Sequence, residues 1–84
     1  MVYGLLHIEM SKKPFCMYAG IRAAAACGFN GLTKDDGKTI IQNFLHADSI
    51  FLNLPAVIIS AVVRELDEIT LRRHPAKVRI VGML

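Results

Sequence analysis

Two long segments of this 84-residue chain carry almost no charge, and they constrain its fold more than any other feature. Pro14 to Thr33 contains one charged residue, Arg22, and Ser49 to Val63 contains none. The second segment is shorter than the roughly 18 to 20 residues that a membrane span requires, and the first is interrupted by three glycines. We therefore expect both segments to form buried core and not membrane spans.

The composition limits the class of protein. Hydrophobic residues make up 54% of the chain and charged residues 20%, whereas disordered chains combine low hydrophobicity with high charge. The length allows one domain, residues 1–84, and excludes a multidomain enzyme. Because a small domain has much surface per residue, the shortage of charge predicts that a protein partner or a second copy covers part of this surface.

Hydrophobic periodicity divides the first half of the chain into a strand and two helices. Val2 to Met10 alternates as a strand does. Phe15 to Cys27 is rich in alanine and predicts a helix that begins near Pro14 and ends at Gly28 as its C′ residue. Thr33 followed by Asp36 is typical of a helix N-cap, and the helical spacing continues to His46.

The second half predicts a strand, a helix and a further strand. Ser49 to Leu54 is a strand that runs into a helix start at Pro55, and the helix continues from Ala56, with Ile69 on its inner side, until Pro75 stops it. Lys77 to Leu84 alternates as a closing strand. The order β-α-α-β-α-β predicts an α/β fold in which a single-layer sheet of about three strands, largely parallel, is packed by three helices.

The two cysteines predict buried, free thiols. Cys16 and Cys27 are eleven residues apart, which places them on one helix face about 16 Å from each other, too far for a disulfide. An apolar setting keeps a thiol protonated and inert. Free thiols, together with the lack of a signal-peptide pattern in Met1 to Met10, predict a cytoplasmic protein.

Catalytic and metal-binding signals are weak. His7, His46 and His74 are spread along the chain without the spacing of a metal site, so we expect no metal, no cofactor and no enzymatic activity. Gly31, Gly37, Lys38 and Thr39 resemble a phosphate-binding P-loop. That loop requires four residues between its glycines, whereas here there are five, including Asp35 and Asp36. A capped helix start is the better interpretation.

The segment Gly28-Phe29-Asn30-Gly31-Leu32-Thr33 carries the most specific signal in the sequence. Closely spaced glycines let a nucleic-acid backbone approach the chain. The loop and the elements that follow it resemble the CRM domain, an RNA-binding module of chloroplast RNA splicing and ribosome maturation. The last of these elements is the strand Val78-Arg79-Ile80-Val81-Gly82. The resemblance covers about two thirds of the chain, and it implies RNA binding at the glycine loop.

The chain departs from the CRM pattern in four places. The initial strand Val2 to Met10 has no counterpart in the family, and the family continues with another strand where this sequence stops. The family has a strand before the glycine loop, whereas Ala23 to Cys27 predicts helix here. The family's second strand is basic, whereas Ile50 to Leu54 contains only Asn53 as a polar residue.

Basic residues collect near the end of the sequence. Between Ile69 and Leu84 there are four cations and no acid, whereas the rest of the chain has six cations and seven acids. Our leading hypothesis is a small RNA-binding module that uses the loop and this basic patch. The candidate RNA-binding residues are Gly28, Asn30, Gly31, Lys34, Lys38, Arg72, Arg73 and Lys77. The alternative is a non-enzymatic protein-interaction module, a homo-oligomer or a subunit of a larger assembly.

Overall fold

A computed structural model of the protein describes residues 2–68, 72–73 and 77–83. The elements follow the order β-α-α-β-α-β, which confirms the predicted set of three strands and three helices. The predicted positions of Ile69, His74 and Pro75 lie outside the described residues. The elements are β1 (Tyr3–Met10), α1 (Lys13–Gly28), α2 (Lys34–His46), β2 (Ser49–Pro55), α3 (Ala56–Leu66) and β3 (Val78–Met83).

The sheet is antiparallel, so the prediction of a largely parallel sheet is wrong. β1 lies in the centre, between β2 and β3, and pairs antiparallel with both. Tyr3 is opposite Pro55 and Glu9 is opposite Ser49 in one ladder, and Glu9 is opposite Arg79 in the other. The two outer strands therefore run in the same direction but do not touch.

The number of helices between strands explains the direction of each strand. A single helix returns the chain to the end where the previous strand began, so that the next strand runs parallel to it. Between β1 and β2 there are two helices, and the second one brings the chain back to the end where β1 stopped. β2 must then run antiparallel to β1. The α3 crossover does make β2 and β3 parallel, but β1 occupies the place between them.

The three helices cover one face of the sheet. The inward residues of the strands and one side of each helix form a single buried cluster, and α1 packs between α2 and α3. The apolar start of α3 contributes to this core, because Ile58, Ile59 and Val62 are buried. The strands contribute Leu6, Ile8, Met10, Ile50, Leu52, Leu54 and Val78.

α1 and α2 approach each other closely at a glycine. Gly20 of α1 is buried, and a Cβ added to it would lie 2.7 Å from Cβ of Phe44 on α2. Phe44 is fully buried. The absence of a side chain at Gly20 is therefore what allows the Phe44 ring to enter the space between the two helices.

The other face of the sheet is open. β1 presents Tyr3, Leu5, His7 and Glu9 on this face, and β2 presents Ser49, Phe51 and Asn53, since these alternate with the buried residues. The β1–β3 register shifts between His7 and Ile8, so that Gly82 lies opposite His7 and Val81 has no residue opposite it. We call this surface the open face.

Within the residues that the structure describes, no helix is both long enough and apolar enough to cross a membrane.

Candidate nucleic-acid interface

The predicted glycine loop lies at one end of the helical layer, between α1 and α2. The amide of Phe29 donates to the carbonyl of Ala26, and the amide of Asn30 donates to Cys27. The Asn30 side chain turns back and donates to the Ala26 carbonyl at 3.0 Å. These bonds fasten the loop to the last turn of α1, so its shape is set before any ligand arrives.

The glycine that the loop requires is Gly31 and not Gly28. The sequence predicted Gly28 as the left-handed residue that ends the helix, whereas α1 continues through Gly28 to a right-handed C-cap at Phe29. Gly31 has a φ of +90°, a conformation that costs other residues energy because of their Cβ. The reversal of the chain therefore takes place three residues later than predicted.

A capping box holds the start of α2 beside the loop. The hydroxyl of Thr33 accepts from the amide of Asp36, and the Asp36 carboxylate accepts from the amide of Thr33. This confirms the predicted N-cap. Lys34 and Lys38 lie on the first turns of this helix and are exposed, at the same end of the molecule as the loop. The neighbouring carboxylates of Asp35 and Asp36 reduce the positive field there.

A cleft of about 330 Å³ opens between α1 and α3, next to the loop. Its polar walls are Arg22, Asn30, Arg64 and Glu65, its remaining lining is three alanines, and the ring of Phe29 borders it. Arg22 forms an ion pair with Glu65 at 3.3 Å. Arg64 forms no ion pair among the described residues. Arg64 lines the cleft together with Phe29 and Asn30 of the loop.

Phe29 is the most exposed large hydrophobic residue of the described chain. The residue is 92% accessible, although a phenylalanine loses stabilising burial when it remains in water. The cleft thus combines an aromatic ring that no described residue covers with two guanidinium groups and one carboxylate. Such a set can stack on a flat aromatic ligand and at the same time attract an anionic group.

The predicted basic patch lies away from the loop. The backbone carbonyl of Lys77 accepts from the amide of Ser11 and the thiol of Cys16, so Lys77 lies at the first turn of α1. The loop follows the last turn of this 16-residue helix, about 24 Å away at 1.5 Å per residue. The ammonium group of Lys77 is 4.7 Å from the centre of the Phe15 ring.

Arg72 and Arg73 lie beyond the end of α3. Arg72 is paired with Asp67, which follows that helix, at 3.3 Å, and Arg73 is exposed. The structure therefore brings Gly28, Asn30, Gly31, Lys34 and Lys38 to one end of the molecule, and it separates Lys77 from them.

Both cysteines are free and buried on α1. Burial raises the pKa of the Cys27 thiol to about 11, and it also raises the pKa of the Cys16 thiol. Since the thiolate is the reactive species, neither group is prepared for nucleophilic attack at neutral pH. Across the described ranges, no three His, Cys, Asp or Glu side chains come together in a way that could hold a metal ion.

Sequence reasoning missed Arg22, Phe29 and Arg64 as candidate ligand-binding residues. Two signals could have found them: Arg22 is the only charge between Pro14 and Gly28, and Phe29 is the aromatic residue of the glycine loop. No sequence pattern indicated Arg64, because it is the packing of α3 on α1 that brings it to the cleft.

Comparison with protein-family models, with curated proteins and with solved structures finds no match to this chain. The resemblance to the CRM domain therefore stays a prediction.

Proposed function

We propose that this protein is a small, non-enzymatic RNA-binding module whose binding site is the loop end of the molecule. The observation that carries the proposal is the exposure of Phe29. This residue is 92% accessible, and it borders a cleft that contains two arginines. The glycine loop and its resemblance to the CRM domain support the same assignment.

Stacking on Phe29 would supply most of the affinity for a base. Proteins that bind single strands stack successive bases on exposed aromatic side chains, because every base has a π face. The Gly31 turn leaves the space around it open, since a Cβ added there would meet nothing within 4 Å. An RNA backbone can therefore pass close to the loop while one of its bases lies on the ring.

The charge for the phosphates would come from Arg22 and Arg64 at the cleft, with Lys34 and Lys38 on α2 at the same end of the molecule. Guanidinium groups bind phosphate oxygens in a bidentate manner. This differs from the basic patch of Arg72, Arg73 and Lys77 that the sequence predicts, because those residues do not adjoin the loop. With Glu65, Asp35 and Asp36 nearby, we expect weak binding that depends strongly on salt.

The proposal includes no catalytic step, because the nucleophiles that the sequence offers are buried thiols of raised pKa. We also propose a reducing, cytoplasmic location, because both cysteines are free and free thiols persist in that compartment.

Fluorescence anisotropy with a labelled single-stranded RNA of about 12 nucleotides tests the proposal. We expect binding at about 50 mM salt that weakens at about 200 mM. Phe29→Ala should weaken binding about 5- to 100-fold, which is the effect of losing one stacked base. Arg64→Ala should weaken it about 3- to 10-fold.

The matched control is Tyr18→Ala, which removes another exposed aromatic side chain from α1 and should leave the affinity unchanged. The proposal fails if RNA does not bind at low salt or if Phe29→Ala binds as the wild type does. It also fails if replacing Arg72 and Arg73 with glutamate abolishes binding while Arg22→Ala and Arg64→Ala have no effect, since the basic patch would then be the site.

A second candidate function, protein interaction through a homo-oligomer, is favoured by a different surface. The open face of the sheet exposes aromatic and aliphatic side chains that no described element covers.

A further inference from the structure

We propose that the open face of the sheet binds a second copy of this chain, face to face, in a symmetric dimer. The inference does not depend on RNA binding, because the face and the loop end are different parts of the molecule.

A row of aromatic and apolar side chains crosses the open face at the level of His7. The rings of His7 and Phe51 stack at 4.1 Å between centroids, with 16° between their planes. Phe51 of β2 is 60% exposed, and Val81, on β3 at the other side of His7, is also exposed. Exposed aromatic side chains are enriched among the residues that carry most of the binding energy in protein interfaces.

The polar groups between His7 and the Glu9 end of the face are already paired with one another. The Glu9 carboxylate binds the Arg79 guanidinium at 2.6 Å, and Nε2 of His7 lies 2.7 Å from Oγ of Ser49. A neutral group that keeps its hydrogen bond costs little to remove from water. The Glu9–Arg79 ion pair costs more to desolvate, and it lies near one end of the strands. Tyr3 and Asn53 lie towards the opposite end of the strands, where the rim of an interface stays hydrated.

Charge favours a second copy over a nucleic acid as the occupant. Glu9 and Arg79 are the charged residues on the face among the described part of the chain, and they neutralise each other. The lysines of the described segments lie elsewhere: in the turn after β1, on α1 and α2, and before β3. A polyanion finds no net positive charge here, whereas a neutral face does not repel its own copy.

The area of the face is sufficient for a weak dimer. Seven residues at about 3.4 Å and three strands at about 4.8 Å give a surface of about 24 by 14 Å. Two such surfaces have a projected area of about 670 Å². The relief of their side chains brings the area removed from water to on the order of 1,000 Å² in total, which is typical of weak, transient interfaces and below the roughly 1,200 Å² of stable ones. Two sheets packed in this way lie about 10 Å apart, as in a β-sandwich. We expect a dissociation constant of tens of micromolar, about 10 to 100 µM.

Light scattering or sedimentation equilibrium of the full chain, from about 5 to about 500 µM, tests the proposal. The mass should rise with concentration from 9.3 kDa towards about 18.6 kDa, twice the mass of one chain. Phe51→Glu and, independently, Val81→Lys should each weaken the dimer at least about tenfold, because each places an unpaired charge among the apolar side chains of the face. Both side chains are exposed, so far-UV circular dichroism should show an intact fold.

The matched control is Tyr18→Glu, which puts the same charge at a half-exposed aromatic residue on α1, on the helical side of the molecule. It should dimerise as the wild type does. A mass that stays at 9.3 kDa at the highest concentration overturns the proposal. So does a dimer that survives both sheet substitutions, or one that Tyr18→Glu abolishes, which would assign dimerisation to α1.

Discussion

Replacing Gly20 with alanine should destabilise the protein, although alanine is the better helix former. At Gly20 the new Cβ would lie 2.7 Å from Cβ and 2.8 Å from Cγ of Phe44. These are the first two side-chain carbons of Phe44, so a rotation about its later bonds does not remove the clash. Phe44 is fully buried, and α1 and α2 must move apart to relieve the contact.

Two opposing effects set the magnitude. Overpacking of a close-packed core costs about 2 to 3 kcal/mol, and alanine recovers about 1 kcal/mol of helix propensity relative to glycine. We therefore expect the free energy of unfolding to fall by about 1 to 2 kcal/mol. In a domain of this size, such a loss lowers the Tm by about 5 to 15 °C.

The matched control is Gly37→Ala in α2. A Cβ at Gly37 would lie 3.8 Å from Cβ of Ala24, an ordinary van der Waals contact, so the gain in helix propensity should prevail and stabilise the protein by up to about 1 kcal/mol. Urea unfolding followed by far-UV circular dichroism measures both variants. If Gly20→Ala is as stable as the wild type or more stable, the close approach of α1 and α2 at this residue would be refuted.

Two further substitutions test the helix cap and the buried thiol. Thr33→Ala removes the capping box and should cost about 1 kcal/mol in urea unfolding, whereas Thr39→Ala, within the same helix, should change stability by less than about 0.5 kcal/mol; equal effects would contradict the role of the cap. Burial raises the pKa of the Cys27 thiol from an ordinary 9.0 to about 11 in the folded protein. Between these values the unfolded chain has lost a proton that the folded chain retains, so stability must fall as pH rises. The advantage of the wild type over Cys27→Ala should therefore shrink by on the order of 2 kcal/mol from pH 8.5 to pH 11, and an advantage that stays constant would rule this out.

The local structure was predictable because short-range patterns decide it. The side chain of Thr33 accepts a hydrogen bond from the backbone amide of Asp36, and the side chain of Asp36 accepts one from the backbone amide of Thr33. Both bonds lie within one turn, so the spacing of the two residues predicts the start of α2 without knowledge of the rest of the fold. The alternation in β1 likewise predicts which residues face the core, because a sheet covered on one face buries every second side chain. Leu6, Ile8 and Met10 are buried as this rule requires.

The arrangement of the sheet and of the candidate site was not predictable in the same way. The direction of β2 depends on where α2 delivers the chain, and the position of β1 between its neighbours depends on the packing of all three strands. The contact between Arg22 and Glu65 joins residues that are 43 apart in the sequence, and no local sequence pattern predicts it. The register shift beside Val81 is similarly a property of two paired strands and not of either strand alone.

The central position of β1 has a consequence for how the protein is made. Both of its edges are satisfied only by strands that are synthesised later, and its partner Arg79 is 70 residues from Glu9. At about 5 to 20 residues per second, a ribosome needs roughly 4 to 14 s to produce that stretch. Throughout this interval β1 offers at least one unpaired edge with apolar side chains on it, which is the state in which nascent strands aggregate or recruit chaperones. The sheet closes only when β3 emerges, and folding therefore proceeds at the pace of its most distant pairing.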